Sequence, residues 1–309
     1  MKIHYIAFVV FVTIIWQVFT QDKPHRMLAY GHNDTILAIA ESTDGNYILS
    51  GSDGENIILQ DKEGKLIFNK KAHLRSVNDV AFSPDSKRFI TAGSDMTFKI
   101  WRIDGSLLKT VVADDIYVKT VTYSNDGKFI LSGGGDNSAK LWTSEGKLVR
   151  KFEGHECTIY EASFSPDNKQ IVLASCDNTA SIWNINGERI KTIGIHNDGV
   201  SSVTFSPDGN NVLTASFDST AALLTIDGEL VKKLVGHTGE INQASFSKDG
   251  NYILTSSEDG LNILWDRAGN IIKSYGKNEE MDYKCGLFSK DGKHIITSTK
   301  EYKIAYLEI

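Results

Sequence analysis

Asp95, Asp136, Asp177, Asp218 and Asp259 are spaced 41 residues apart without a gap. His32, His73, His155, His196 and His237 fall on a second grid of the same step, with Asp114 at the skipped point. Trp101, Trp142 and Trp183 make a third grid, which runs on through Leu224 to Trp265. Chemically different columns sharing one period are not an accident of composition. Periods of roughly 20–50 residues mark arrays of one supersecondary unit. The 309 residues therefore read as seven copies of a single unit.

Within a copy the pattern is that of strands. An alternating run such as VNDVAF (77–82) or VSSVTF (200–205) is followed by a turn, as at Asp126-Gly127, Asp208-Gly209, Asp249-Gly250 and Asp291-Gly292. A run of β-branched and small residues follows (FITAGS, 89–94), then TFKIW (97–101), a second turn at Asp104-Gly105 or Glu145-Gly146, and KLVRKF (147–152). Asp-Gly between alternating apolar runs is a strong hairpin signal. Four strands and their turns fill the period and leave no room for a helix. Three of the four prolines, Pro84, Pro166 and Pro207, sit beside the first turn, where no ladder needs their missing N–H. One four-stranded sheet cannot bury two faces by itself, so the copies must pack on each other, and a ring removes the open ends.

On these columns the chain resembles the WD40 repeat family over residues 24–309, although only Trp265-Asp266 is a true Trp-Asp pair. The resemblance implies an all-β fold, a seven-bladed propeller. The last copy stops after KIAYLEI (303–309) with three strands, and KPHRMLAY (23–30) aligns with the fourth strands of other copies. This N-terminal strand is expected to complete the last blade.

The family also implies that the repeated polar residues are structural, bonding in series from Asp to His, His to Ser or Thr, and hydroxyl to indole. Copies with all four are His73, Thr91, Asp95 and Trp101, and His237, Thr255, Asp259 and Trp265. Elsewhere members are replaced: the His by Asp114, the hydroxyl by Leu173, the Trp by Leu224. In the first copy strict period puts Gly54 and Gln60 in the Asp and Trp columns, and a one-residue shift puts Asp53 and Leu59 there. The seventh copy keeps Thr297 and Glu301. Because each His lies in a different blade, they cannot converge on one metal ion.

The rim holding the His and Asp columns is the usual binding face of WD40 proteins. Carried onto this sequence, its partner-binding positions are Tyr117, Lys119, Tyr160, Cys176, Phe217, Glu240, Asn242, Glu258, Lys284 and Lys300. The aromatics on three consecutive blades would form an apolar patch beside a charged arc.

The expected function is a non-catalytic scaffold that binds a protein or peptide, monomeric and without cofactor or metal. HExxH and GxSxG do not occur, no paired-carboxylate spacing rises above chance, and GGGD (133–136) is followed by no helix to present to a phosphate. No carboxylate or His cluster is apparent at channel positions, which disfavours a ligand-binding or enzymatic propeller. A formal net charge of −6 argues against nucleic acid. The three cysteines are too few for a disulfide scaffold, and the sequence leaves open whether Cys157 and Cys176, in one copy, are bonded.

Residues 1–20 differ from the rest. Lys2 precedes an apolar run at 3–19 and a polar exit, the form of a secretory signal peptide, with cleavage expected between Thr20 and Gln21. Export to the periplasm or medium follows, with residues 21–309 as the propeller. The competing reading is an uncleaved membrane anchor, for which the run is short.

Overall fold

The computed structural model describes residues 24–276 and 285–309. They form seven four-stranded antiparallel sheets. Blade 1 consists of Ile36–Glu41, Tyr47–Ser52, Asn56–Asp61 and Leu66–Lys71, and each later blade repeats this plan. The first strands of neighbouring blades touch one another around the axis. The second and third strands are almost wholly buried, whereas the fourth, such as Leu148–Phe152, is mostly exposed. First strands thus line the centre, and fourth strands form the outer edge.

The turn between the first and second strands shows why Ser-x-Asp recurs. In blade 5 the Ser206 hydroxyl donates to Asp208 Oδ1 at 2.5 Å, and the same oxygen accepts the Asn210 amide at 3.1 Å. The chain then reverses through Gly209 at φ 74°. Ser42, Ser83, Ser124, Ser165, Ser247 and Ser289 make the same bond to the aspartate two residues on. This side-chain bond mimics a backbone turn and sets the register of the hairpin it opens.

The core lies between blades rather than within them. One cluster joins Ile90, Phe98 and Val111 of blade 2 to Val118, Ile130 and Trp142 of blade 3. Trp142 meets Phe98 edge-on at 5.4 Å, and Trp183 of blade 4 meets Phe152 of blade 3 at 5.7 Å. The indole column is therefore an inter-blade wedge.

The ring closes as the sequence leads one to expect. Arg26 and Met27 pair with Tyr306 and Ala305. The His25 and Leu28 amides donate to the Tyr306 and Ile304 carbonyls, each at 2.8 Å. Leu28 is fully buried in a cluster with Ile36 and Ile48 of blade 1 and Ile296 and Ile304 of blade 7. The N-terminal strand is thus both the fourth strand of blade 7 and part of the packing against blade 1.

Candidate interaction face and central channel

The polar columns form networks within the blades, wired in several ways. In blade 6, His237 Nδ1 bonds Asp259 Oδ2 at 2.9 Å and its Nε2 bonds Thr255 Oγ1 at 2.7 Å. Trp265 Nε1 donates to the same hydroxyl at 2.8 Å. Blade 2 repeats this with His73, Asp95, Thr91 and Trp101 at 2.8, 2.7 and 3.0 Å. Burial opposes the Asp259 charge, but the His237 bond and the Thr238 and Leu261 amides hold its pKa below the usual range.

Blade 4 corrects the sequence reading. Leu173 does not break its network, because Ser181, directly opposite Leu173 in the strand pairing, supplies the hydroxyl. His155 Nε2 bonds Ser181 Oγ at 2.6 Å, and Trp183 Nε1 donates to it at 2.7 Å. In blade 5 the chain from Asp218 through His196 to Thr214 persists at 3.1 and 2.8 Å, and Leu224 fills the indole site without a polar group.

Blade 3 replaces the imidazole with a carboxylate. Asp114 Oδ1 accepts the Ile116 and Tyr117 amides at 2.8 and 3.0 Å, capping the loop. Burial and the neighbouring Asp136 charge push Asp114 up. Asp136 is held low, against burial, by Lys140 at 2.5 Å. Blade 1 lacks the acid altogether. The residue after each Asp column has a positive φ: Met96, Asn137, Asn178, Ser219 and Gly260, with Glu55 at 71° in blade 1. Strict period therefore holds, and Gly54 and Gln60 occupy the Asp and Trp columns. His32 bonds Ser50 at 2.8 Å, but its Nδ1 and Gln60 Oε1 are buried without a partner. Burial drives the His32 pKa down to about 4. In blade 7, Thr297 donates to the Cys285 carbonyl at 2.8 Å, and Glu301 pairs with Lys303 at 2.7 Å.

The channel contains carboxylates that the sequence reading did not find. Its mouth is a cavity of about 270 Å³ lined in part by Asp79, Lys119, Tyr160, Glu161, Phe217 and Gln243. Ala38, Asp79, Thr120, Glu161, Ser202 and Gln243 form a further column at the 41-residue step, so the signal was available. In the first six blades a β-bulge follows the first residue of the inner strand. The bulge leaves an amide without a ladder partner.

In blades 3, 5, 6 and 7 the preceding blade's column residue accepts an amide of the inner strand. Asp79 Oδ2 accepts the Val121 amide at 2.9 Å, and Glu161 Oε2 accepts that of Val203 at 2.9 Å. Ser202 and Gln243 accept the amides of Ala244 and Gly286 at 3.1 and 3.2 Å. Ala38 has no polar atom, and Asp79 Oδ1 accepts the Val80 amide of its own blade instead, at 2.7 Å. Burial raises Asp79 to about 6 and Glu161 to about 7. These two groups hold blades together, which is a structural task. Among the described residues no group of three His, Cys, Asp or Glu side chains is arranged to hold a metal.

Several of the proposed partner positions converge. Lys119, Tyr160, Phe217, Asn242 and Glu258 all line the channel mouth. Tyr160 and Phe217 meet edge-to-face at 5.3 Å, with Lys119 Nζ 6.0 Å from the Tyr160 ring centre. The Tyr117 hydroxyl bonds Thr158 Oγ1 of the next blade at 2.9 Å. Glu258 is exposed and accepts from Asn242 at 2.9 Å. Glu240 and Lys300 are exposed and are not among the residues lining the mouth, and Lys284 lies outside the described residues. Cys176 is bonded to Cys157, with Cα atoms 5.3 Å apart, so it contributes a covalent staple rather than a free thiol.

Two family models match the chain. "IFT122 first beta-propeller" covers residues 77–308 and "WD domain, G-beta repeat" covers 23–58. The chain belongs to the WD40-repeat β-propeller family. Similar curated proteins include polyadenylation factor subunit 2 of Candida albicans, 32% identical over 24% of this chain and 13% of that protein. Eukaryotic translation initiation factor 3 subunit I of Kluyveromyces lactis is 33% identical over 26% of this chain and 23% of its own length. GID complex subunit 7 of Schizosaccharomyces pombe is 40% identical over 19% and 12%. The chain spans less than a quarter of the length of each of these relatives. WD40 propellers are typically non-catalytic and generally bind proteins.

Proposed function

We propose that this propeller is an exported, non-catalytic scaffold that binds a protein or peptide on the face carrying the His and Asp columns. The observation that carries this reading is the gathering of Tyr117, Tyr160 and Phe217 around one disulfide on that face. Thr158, which bonds Tyr117, directly follows Cys157, and Tyr160 stands two residues further on. Phe217 borders Gly199, which packs on the Cys176 backbone. A rigid, partly exposed aromatic group with charged neighbours has the anatomy of a binding hot spot. The curated relatives support the scaffold reading, because the three named above are each called a subunit. The test is capture of partners from the native compartment with wild type and with the Tyr117→Ala, Tyr160→Ala, Phe217→Ala variant. Loss of a partner by a folded variant is expected, and undiminished capture would overturn the reading.

Export is proposed on residues 1–20, which lie outside the described residues, and is supported by the disulfide, since such bonds persist in oxidising compartments. N-terminal sequencing after fractionation should find Gln21 first in the soluble exported fraction. A membrane-bound chain that still begins at Met1 would instead establish the anchor. A second reading, a small ligand in the channel, draws on Asp79 and Glu161, but their bonds to the neighbouring blades account for both.

A further inference from the structure

We propose that the partner of this face is a basic peptide, one of whose Arg or Lys side chains seats against Tyr160 and Phe217 at the channel mouth. This rests on the face reading above and adds the chemistry of the occupant. Each of blades 3 to 6 places an exposed carboxylate on the loop entering its inner strand: Asp115, Glu156, Asp198 and Glu240. The salt bridges among the described residues involve none of these four. Like charges left uncompensated along one arc repel each other and attract a partner of opposite sign.

The aromatic pair sits inside that arc. Burial raises the Tyr160 phenol above its ordinary pKa, and Tyr117, Glu240 and Asp198 push it further. Lys119 reaches toward the Tyr160 ring from the neighbouring blade, at 6.0 Å from its centre, so the incoming cation is placed on the Phe217 side of the pair. The adjoining cavity of about 270 Å³ gives room for one extended side chain. The disulfide and the Tyr117–Thr158 bond fix the loop beside the pair, so little ordering is needed on binding.

The test uses the full chain and fluorescence polarisation with fluorescein-labelled (Arg-Gly-Ser)4, against (Glu-Gly-Ser)4 of equal length. The arginine peptide is expected to bind saturably and to weaken as salt is raised. The double variant Tyr160→Ala, Phe217→Ala should weaken it roughly 5–20-fold. Glu240→Gln with Glu258→Gln, both exposed and safe for the fold, should weaken it about 3–10-fold. Binding of the glutamate peptide as tightly, no binding of the arginine peptide, or arginine binding indifferent to both double variants would each overturn the proposal. The face reading is judged separately by the partner capture above, so a partner lost by the aromatic triple variant while the arginine peptide fails would retire only the basic chemistry.

Discussion

Blade 6 and the seam between blades 7 and 1 use the same sequence unit with opposite completeness. In blade 6 all four network members are bonded in series, and the fourth strand pairs along five positions. At the seam, blade 7 is closed by two paired residues, and His32 of blade 1 is buried with one ring nitrogen unpartnered. A repeat array is stabilised by nearest-neighbour interfaces as well as by each unit, so a weak unit survives between stronger ones. The seam therefore depends on packing, chiefly Leu28, Ile36 and Ile304, where blade 6 also relies on polar bonds.

The largest expected effect comes from cutting the seam. Deleting residues 24–30 removes Leu28 and exposes the edge of Ile304–Glu308, and a calorimetric scan should show the melting temperature fall by roughly 10 °C or more. An unchanged melting temperature would mean that three strands suffice for blade 7. Next comes blade 6: Asp259→Ala should cost roughly 2–4 kcal/mol in urea unfolding, because it strands buried His237. His32→Ala should cost less than half as much, and equal costs would erase the contrast.

The Cys157–Cys176 bond closes a 19-residue separation, and Cys176→Ser should cost about 3 kcal/mol under oxidising conditions and nothing further under reducing ones. Acid should weaken the seam. His32 titrates near 4 in the fold and near its ordinary 6.5 when unfolded, so between these values the unfolded chain binds more protons. Stability from this group is thus intact above pH 6.5 and is lost as pH falls toward 4. His32→Gln should flatten that part of the stability–pH curve, and a slope identical to wild type would show the imidazole to be silent.

The smallest effect is a gain. Gly54→Asp puts a carboxylate in the Asp column beside the unpartnered His32 Nδ1, where the added Cβ comes within 3.2 Å of the Asp34 Cβ. A small shift there should leave a net gain of about 1 kcal/mol and raise the His32 pKa, readable by NMR titration. A loss of stability would show that the seam loop cannot accept the side chain.

Much of this molecule was legible in the chain because its information is periodic. The 41-residue step, the Asp-Gly turns and the missing fourth strand of the last copy fix the blade, its repetition and its closure, since each follows from local turn chemistry and alternation. The candidate partner positions came from the family resemblance, and five of them line the channel mouth.

What the chain could not reveal by itself are contacts between residues distant in sequence whose partners depend on pairing and on ring geometry. Ser181 replaces the hydroxyl missing at Leu173 only because the two are opposite each other across a ladder. Cys157 and Cys176 bond because two loops of one blade meet at its rim. Asp79 and Glu161 share a column with Ala38 and Ser202 in sequence, and only the neighbouring blade's bulge, with its unpaired amide, turns them into clamps. Periodicity determined the unit, and proximity across strands and blades decided what each exceptional residue does.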